Sequence, residues 1–258
     1  MKFGILVAAA LSAVAPAQAQ MDRSAEGLYR IDVAGSLRMR TQRILRNACY
    51  VASGVNADAL VTDFTGQISD IDDIQLRLVE GDEEVGLSAE RSPIIRHQLE
   101  DVVSTSWEQF KLYPLYISAR GSAEPTELDQ MTALGDRLLR AQNELVSALE
   151  EKYARGAVLP ADQSRTLNVM GRQRMLSQRI AAQHCALAHT QDVDAARAAL
   201  GQSVSTLEQA FDDLLNGNAD DRIVAPSDET LTALQCAHDT FVTMRPFLTA
   251  SLHGAAPT

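Results

Sequence analysis

The chain repeats itself. Residues 31–44 read IDVAGSLRMRTQRI and residues 167–180 read LNVMGRQRMLSQRI. At an offset of 136, Val33, Gly35, Arg38, Met39, Gln42, Arg43 and Ile44 recur as Val169, Gly171, Arg174, Met175, Gln178, Arg179 and Ile180, and Cys49 recurs as Cys185. That identity is far beyond chance, so the chain is two copies of one module. Apolar periodicity and Gly/Pro punctuation predict seven helices, over about 22–53, 57–80, 93–118, 126–155, 162–190, 193–216 and 228–251. Asn56, Ser92, Thr126 and Ser227 are the expected N-caps, with Pro93 at a first helical position. No segment alternates as a strand does, and aromatics are only 5% of residues, which argues against an all-β chain. The expected fold is all-α: tandem up-and-down bundles joined by short links. A four-helix module spans 20–156, and a shorter three-helix module, its fourth helix missing or replaced by another surface, spans 157–258.

Residues 1–19, MKFGILVAAALSAVAPAQA, have the make-up of a secretory leader: Lys2, a short apolar run over 4–14, and the cleavage pattern Ala17-Gln18-Ala19. About eleven apolar residues are too few to span a bilayer, which takes roughly 20. The expected mature chain is soluble and periplasmic, with full secretion the alternative. A formal net charge of -11 argues against a nucleic-acid partner.

Gly35, Arg38 and Gln42, like Gly171, Arg174 and Gln178, share one helix face. A helical Gly costs about 1 kcal/mol against Ala, so a Gly present in both copies points to close approach of another group. The planar Arg fork beside it matches trigonal oxyanions. Five Arg and one Asp lie between Arg30 and Arg46, and four Arg with no acid lie between Arg165 and Arg179. These are basic spots in an acidic protein. The alternative is that the arginines pair with acidic neighbours on the second and fourth helices.

The segment AGSLRMRTQRI resembles the P-box of the NarX/NarQ nitrate sensor kinases. NVMGRQRMLSQRI resembles the opening helix of PilJ-type, NarX-like sensory modules, the type IV pili methyl-accepting chemotaxis transducer N-terminal domain. The resemblance implies a helical bundle in which two such helices meet and the Arg of each Arg-Met pair clamps one nitrate or nitrite. The matching positions are Arg38 and Arg174, with Gly35 and Gly171 beside them. The second copy departs at Arg172 and Gln173, where the P-box pattern matches Ser36 and Leu37. No membrane helix, HAMP linker or transmitter follows, so a signal would have to pass through another protein.

With four helices returning the chain to its starting end, the two repeated helices can run parallel within one chain; a homodimer pairing like copies is the alternative. Each Cys lies eleven residues after its Arg, on the same face. If the helices meet, Cys49–Cys185 is the natural disulfide. A Cys185–Cys236 bridge and buried free thiols are the rivals. His184, Cys185, His189, Cys236 and His238 lack the spacing of a standard metal site, and no metal or cofactor is expected. No GxSxG, HExxH, P-loop or GxGxxG motif occurs, so no enzymatic activity is expected. The acidic clusters at Asp70, Asp72 and Asp73 and at Asp82, Glu83 and Glu84 read as solvated faces, while Trp107 with Phe110 and Phe241 with Met244 read as core anchors. Two functions are in contention. One is a periplasmic ligand-binding module for a small anion such as nitrate or nitrite, held by Gly35, Arg38, Gln42, Gly171, Arg174 and Gln178. The other is a helical interaction module docking on a membrane receptor or a pilus or chemotaxis component. For the first, Arg38→Ala and Arg174→Ala are both expected to spare the ligand-free protein.

Overall fold

The computed structural model describes residues 22–155 and 160–254. The expected leader at 1–19 and most of the link at 156–161 lie outside them. The described residues form α1 (Arg23–Ala52), α2 (Ala57–Glu80), α3 (Pro93–His97), a π-helical segment (Gln98–Val103), α4 (Ser104–Phe110), α5 (Leu112–Arg120), α6 (Pro125–Arg155), α7 (Ala161–Ala186), α8 (Val193–Asn216) and α9 (Asp228–Leu252). The fold is all-α. The seven expected helical arms are present, and the third is broken. Pro114 has no N–H to give the Phe110 carbonyl, so the arm stops at Phe110 and restarts at Leu112.

Several boundaries differ from the sequence reading. Ser92 caps as expected, its Oγ accepting from the Ile95 N–H, with Pro93 next. Asn56 does not cap. It takes a left-handed conformation, φ 50, that closes the turn after Gly54, and its side chain bonds no helix N–H. The fourth arm starts on Pro125, one residue before the expected cap Thr126. Ser227 precedes α9 without a side-chain cap bond, and α7 ends at Ala186, well short of 190.

α1 is the axis of the molecule. Ile31, Ala34, Leu37, Ile44, Leu45, Ala48 and Val51 are buried around its whole circumference, because it touches α2, α6 and α7 together. The first module closes over it with α2, the broken third arm and α6. Trp107 and Phe110 sit in that core as expected. Burial obliges the Trp107 indole to find an acceptor, and it donates to Asp72 Oδ1 at 2.5 Å. Asp72 and Asp70 are therefore not simply solvated; Asp70 accepts from Arg40. The modules share their cores: Ala182 and Cys185 of α7 lie in the first, and Leu139 of α6 lies in the second.

The repeat continues beyond its identical residues. Gly81 and Gly217 end α2 and α8 with φ of 87 and 74. Asp82 and Leu87 exchange two backbone hydrogen bonds, as do Asn218 and Ile223 at the same offset. In the second module α9 packs mainly on α8, burying Leu234, Phe241 and Leu248. Met244 was expected in the core beside Phe241, but it is 51% exposed. Among the described residues no helix covers that side of α9.

Candidate functional site

α1 and α7 lie side by side and run in the same direction, since partner numbers rise together along the seam. Arg38 bonds Asn168, Arg46 Nη1 donates to Gln178 Oε1 at 2.6 Å, and Cys49 is disulfide-bonded to Cys185 with Cα atoms 6.1 Å apart. The pairing lies within one chain. Cys236 is free and exposed.

The repeat makes the seam a pseudo-two-fold. Asn168 is the counterpart of Asp32. Arg38 of α1 reaches across to Asn168 of α7, and Arg174 of α7 reaches back to Asp32 of α1. The glycines explain how this fits. A Cβ on Gly35 would stand 3.1 Å from Arg38 Nη2. A Cβ on Gly171 would stand 3.6 Å from that same atom and 3.7 Å from Arg174 Nη2. The two glycines therefore do not bring bare backbones together. Both make room for the Arg38 guanidinium, and Gly171 lies beside both arginines.

The two arginines differ in burial. Arg38 is 1% exposed. Its Nη2 donates to Asn168 Oδ1 at 2.8 Å, its Nη1 to Asn143 Oδ1 of α6 at 3.2 Å, and its Nε to the Gly35 carbonyl at 3.4 Å. Asn168 in turn donates to Glu150 Oε2 at 2.8 Å. Arg174 is half exposed, and among the described residues its one ion pair is with Asp32. The Arg38 pKa is lowered to about 10, first by burial and then by Arg172, with Glu150 partly offsetting and Arg174 adding to the depression. Burial also lowers Arg172, and Arg165 adds to that. Burial raises the Glu150 carboxyl, against the opposing pull of Asn168, Arg165 and Arg38. Arg165 and Arg172 make no hydrogen bond or ion pair among the described residues. Four arginines thus meet Glu150 and Asp32 around the seam, and Arg165 also lines a cavity with Glu144, Glu151, Asp220 and Asp221.

Gln42 and Gln178 stand one turn further on and do not join the arginines. Gln178 accepts from Arg46. Among the described residues the buried Gln42 Nε2 has no partner, and the side chain opens on a cavity of about 40 Å³, roughly the room of one water. Three other arginines of the repeat follow the ion-pair alternative, Arg40 with Asp70 and Arg43 with Asp63 of α2 and Arg179 with Asp136 of α6, while Arg30 pairs with Glu26 of its own helix and with Glu90 of the loop after α2. Sequence reasoning missed Asp32, Asn143, Glu150 and Asn168 as site residues. Asp32 and Asn168 were findable as repeat counterparts flanking the motif. Asn143 and Glu150 were not, because α6 has no copy in the second module.

The glycine geometry predicts opposite responses to one substitution. Gly171→Ala should raise stability by about 0.5–1 kcal/mol through helix propensity, since its Cβ meets only ordinary contacts. Gly35→Ala should gain nothing or lose, because its Cβ crowds the Arg38 guanidinium. Urea denaturation of the two variants is the check.

Family comparison places this geometry. The family model described as the type IV pili methyl-accepting chemotaxis transducer N-terminal region matches residues 10–150 and again residues 162–258. No curated protein and no solved structure shows significant similarity to the chain. No helix among the described residues is long and apolar enough to cross a membrane. The chain belongs to the PilJ family of transducer N-terminal modules, in two tandem copies, and is a signalling sensory module by family.

Proposed function

We propose that this PilJ-family chain is an exported sensory protein that binds one small planar oxyanion, of the nitrate or nitrite type, between Arg38 and Arg174 at the α1–α7 seam. The observation that carries the reading is the convergence of two repeat-related guanidiniums beside Gly171. Each Nη2 lies within 3.7 Å of one point beside Gly171, so the two are close enough for one small anion to accept charge-assisted hydrogen bonds of about 2.8 Å from both. The Arg38 fork has N–H donors beyond the three bonds it makes. Arg174 has only an exposed carboxylate to give up, and exposed ion pairs are worth about 0–1 kcal/mol. Arg172 and Arg165 add positive charge nearby, opposed in part by Glu150. The bound anion would tie α7 to α1 across the pseudo-two-fold, which is how occupancy would change the relation of the two modules.

Calorimetric titration with nitrate, nitrite, formate and chloride at constant ionic strength tests this. Saturable binding of a planar oxyanion by the wild type, weakened at least tenfold in Arg174→Ala, supports it. Heats indistinguishable from chloride for every anion would reject it. Glu150 supplies a second check. Its raised pKa means that acidification neutralises it before an ordinary carboxylate, so anion affinity should rise as pH falls from 7 toward 5. Glu150→Gln should bind the anion up to roughly tenfold more tightly at pH 7 and flatten that profile.

A further inference from the structure

The second module has a gap where the first has a helix. An apolar groove of about 560 Å³ runs between α7 and α9, floored by Leu207 and Phe211 of α8 and walled by Met170 and Ile180 of α7 and by Phe241 and Met244 of α9. In the first module α6 packs against α1 and the third arm, the repeat counterparts of α7 and α9. The groove is therefore the uncovered counterpart of the α6 position. Polar anchors repeat as well. On α1, Arg38 donates to Asn143 of α6, and Thr41 accepts from Gln142 Nε2 at 3.0 Å. Their counterparts on α7 are Arg174 and Ser177, and both line the groove. A similar, one-residue-shorter sequence follows the second module's third arm, off the 136-residue offset. Gly121, φ 76, precedes Ser-Ala-Glu-Pro-Thr at the opening of α6, and Gly254, φ 99, precedes Ala-Ala-Pro-Thr.

We infer that this groove is a docking site for an amphipathic helix of another protein. That helix would stand where α6 stands in the first module. It would present an apolar stripe at helical spacing, with neighbouring amide side chains facing Arg174 and Ser177 as Asn143 and Gln142 face Arg38 and Thr41. A helix laid in a preformed apolar groove is a recurrent recognition mode, with affinity coming from the buried stripe and orientation from a few polar anchors. Docking covers Arg174, so helix binding and anion occupancy meet at one side chain, although the docking inference does not depend on the anion.

The probe is a fluorescent peptide of residues 125–155 titrated into the full mature chain, whose own α6 already fills the first module. The control variants leave Arg38 and Arg174 intact. Ala237→Glu and Met244→Glu place a charge at exposed positions of the groove, and Ile94→Glu does so at an exposed apolar position elsewhere. Saturable binding that weakens at least tenfold in both groove variants and not in Ile94→Glu is expected. Absence of saturation up to about 1 mM peptide, or binding indifferent to the groove variants, overturns the inference. An apolar dye that fills the groove but is not displaced by the peptide overturns it in favour of a small apolar ligand. Dimerisation of the wild type that Met244→Glu abolishes overturns it in favour of a second copy of the chain.

Discussion

Arg38→Ala is expected to lower the stability of the ligand-free protein by about 3–5 kcal/mol, while Arg174→Ala changes it by less than about 1 kcal/mol. The two residues occupy the same place in the repeat, so the difference comes from their surroundings. Removing the Arg38 guanidinium leaves the buried Asn168 oxygen without its donor, at about 1–3 kcal/mol, and takes a hydrogen bond from the part-buried Asn143. It also takes a nearby positive charge from the half-buried Glu150 and opens a void between Gly35 and Gly171. Arg174 leaves behind only an exposed Asp32. Sequence reasoning expected both variants to spare the ligand-free protein, as two unpartnered arginines in repulsion would. The structure changes that expectation for Arg38 alone. Urea midpoints at unchanged m-value measure the difference. Equal, small effects would mean that the amide bonds of Arg38 do not form. Arg38→Lys should recover only part of the loss, since a point charge does not serve two amides as a planar fork does.

Replacing Cys49 and Cys185 together by serine is expected to cost about 4 kcal/mol, or roughly 10 °C in Tm. The bridge joins residues 136 apart, so the unfolded chain regains a large loop's freedom when it is lost. It also fixes α1 against α7 three helical turns beyond the arginines, on the face they share. The double variant should therefore bind the anion more weakly as well as unfold earlier. Cys236→Ser should be neutral in both respects, because that thiol is free and exposed. Thermal unfolding with and without a reductant reads the effect. A reductant-insensitive wild type with the double variant's Tm would show that the bridge is not formed.

The seam between the modules was legible because the chain states it twice. Identical residues at a fixed offset assign α1 and α7 to equivalent roles, and geometry then leaves parallel pairing as a short step. What the repeat could not show is its own asymmetry. Arg38 lies under α6 and Arg174 does not, because only the first module has a covering fourth helix among the described residues. Met244 was misjudged for the same reason: its i, i+3 spacing from Phe241 is that of a core pair, but its side of α9 has nothing packed on it. Asp72 was misjudged differently. An acidic run on a helix surface reads as solvated, and only the position of Trp107 shows that one of its carboxylates serves a buried indole. The third arm's π-helical stretch has no sequence marker comparable to Pro114.

If Arg38 and Arg174 hold one anion together, both guanidiniums must respond to the same binding event. Side-chain 15N–1H NMR of the arginine Nε–H groups, titrated with nitrate at constant ionic strength, reads each of them separately. The Arg38 and Arg174 resonances are expected to move on one saturable isotherm with a shared Kd, while Arg43, paired with Asp63 on the far side of α1, stays still. Shifts that never saturate, or that involve Arg174 without Arg38, would contradict a shared anion.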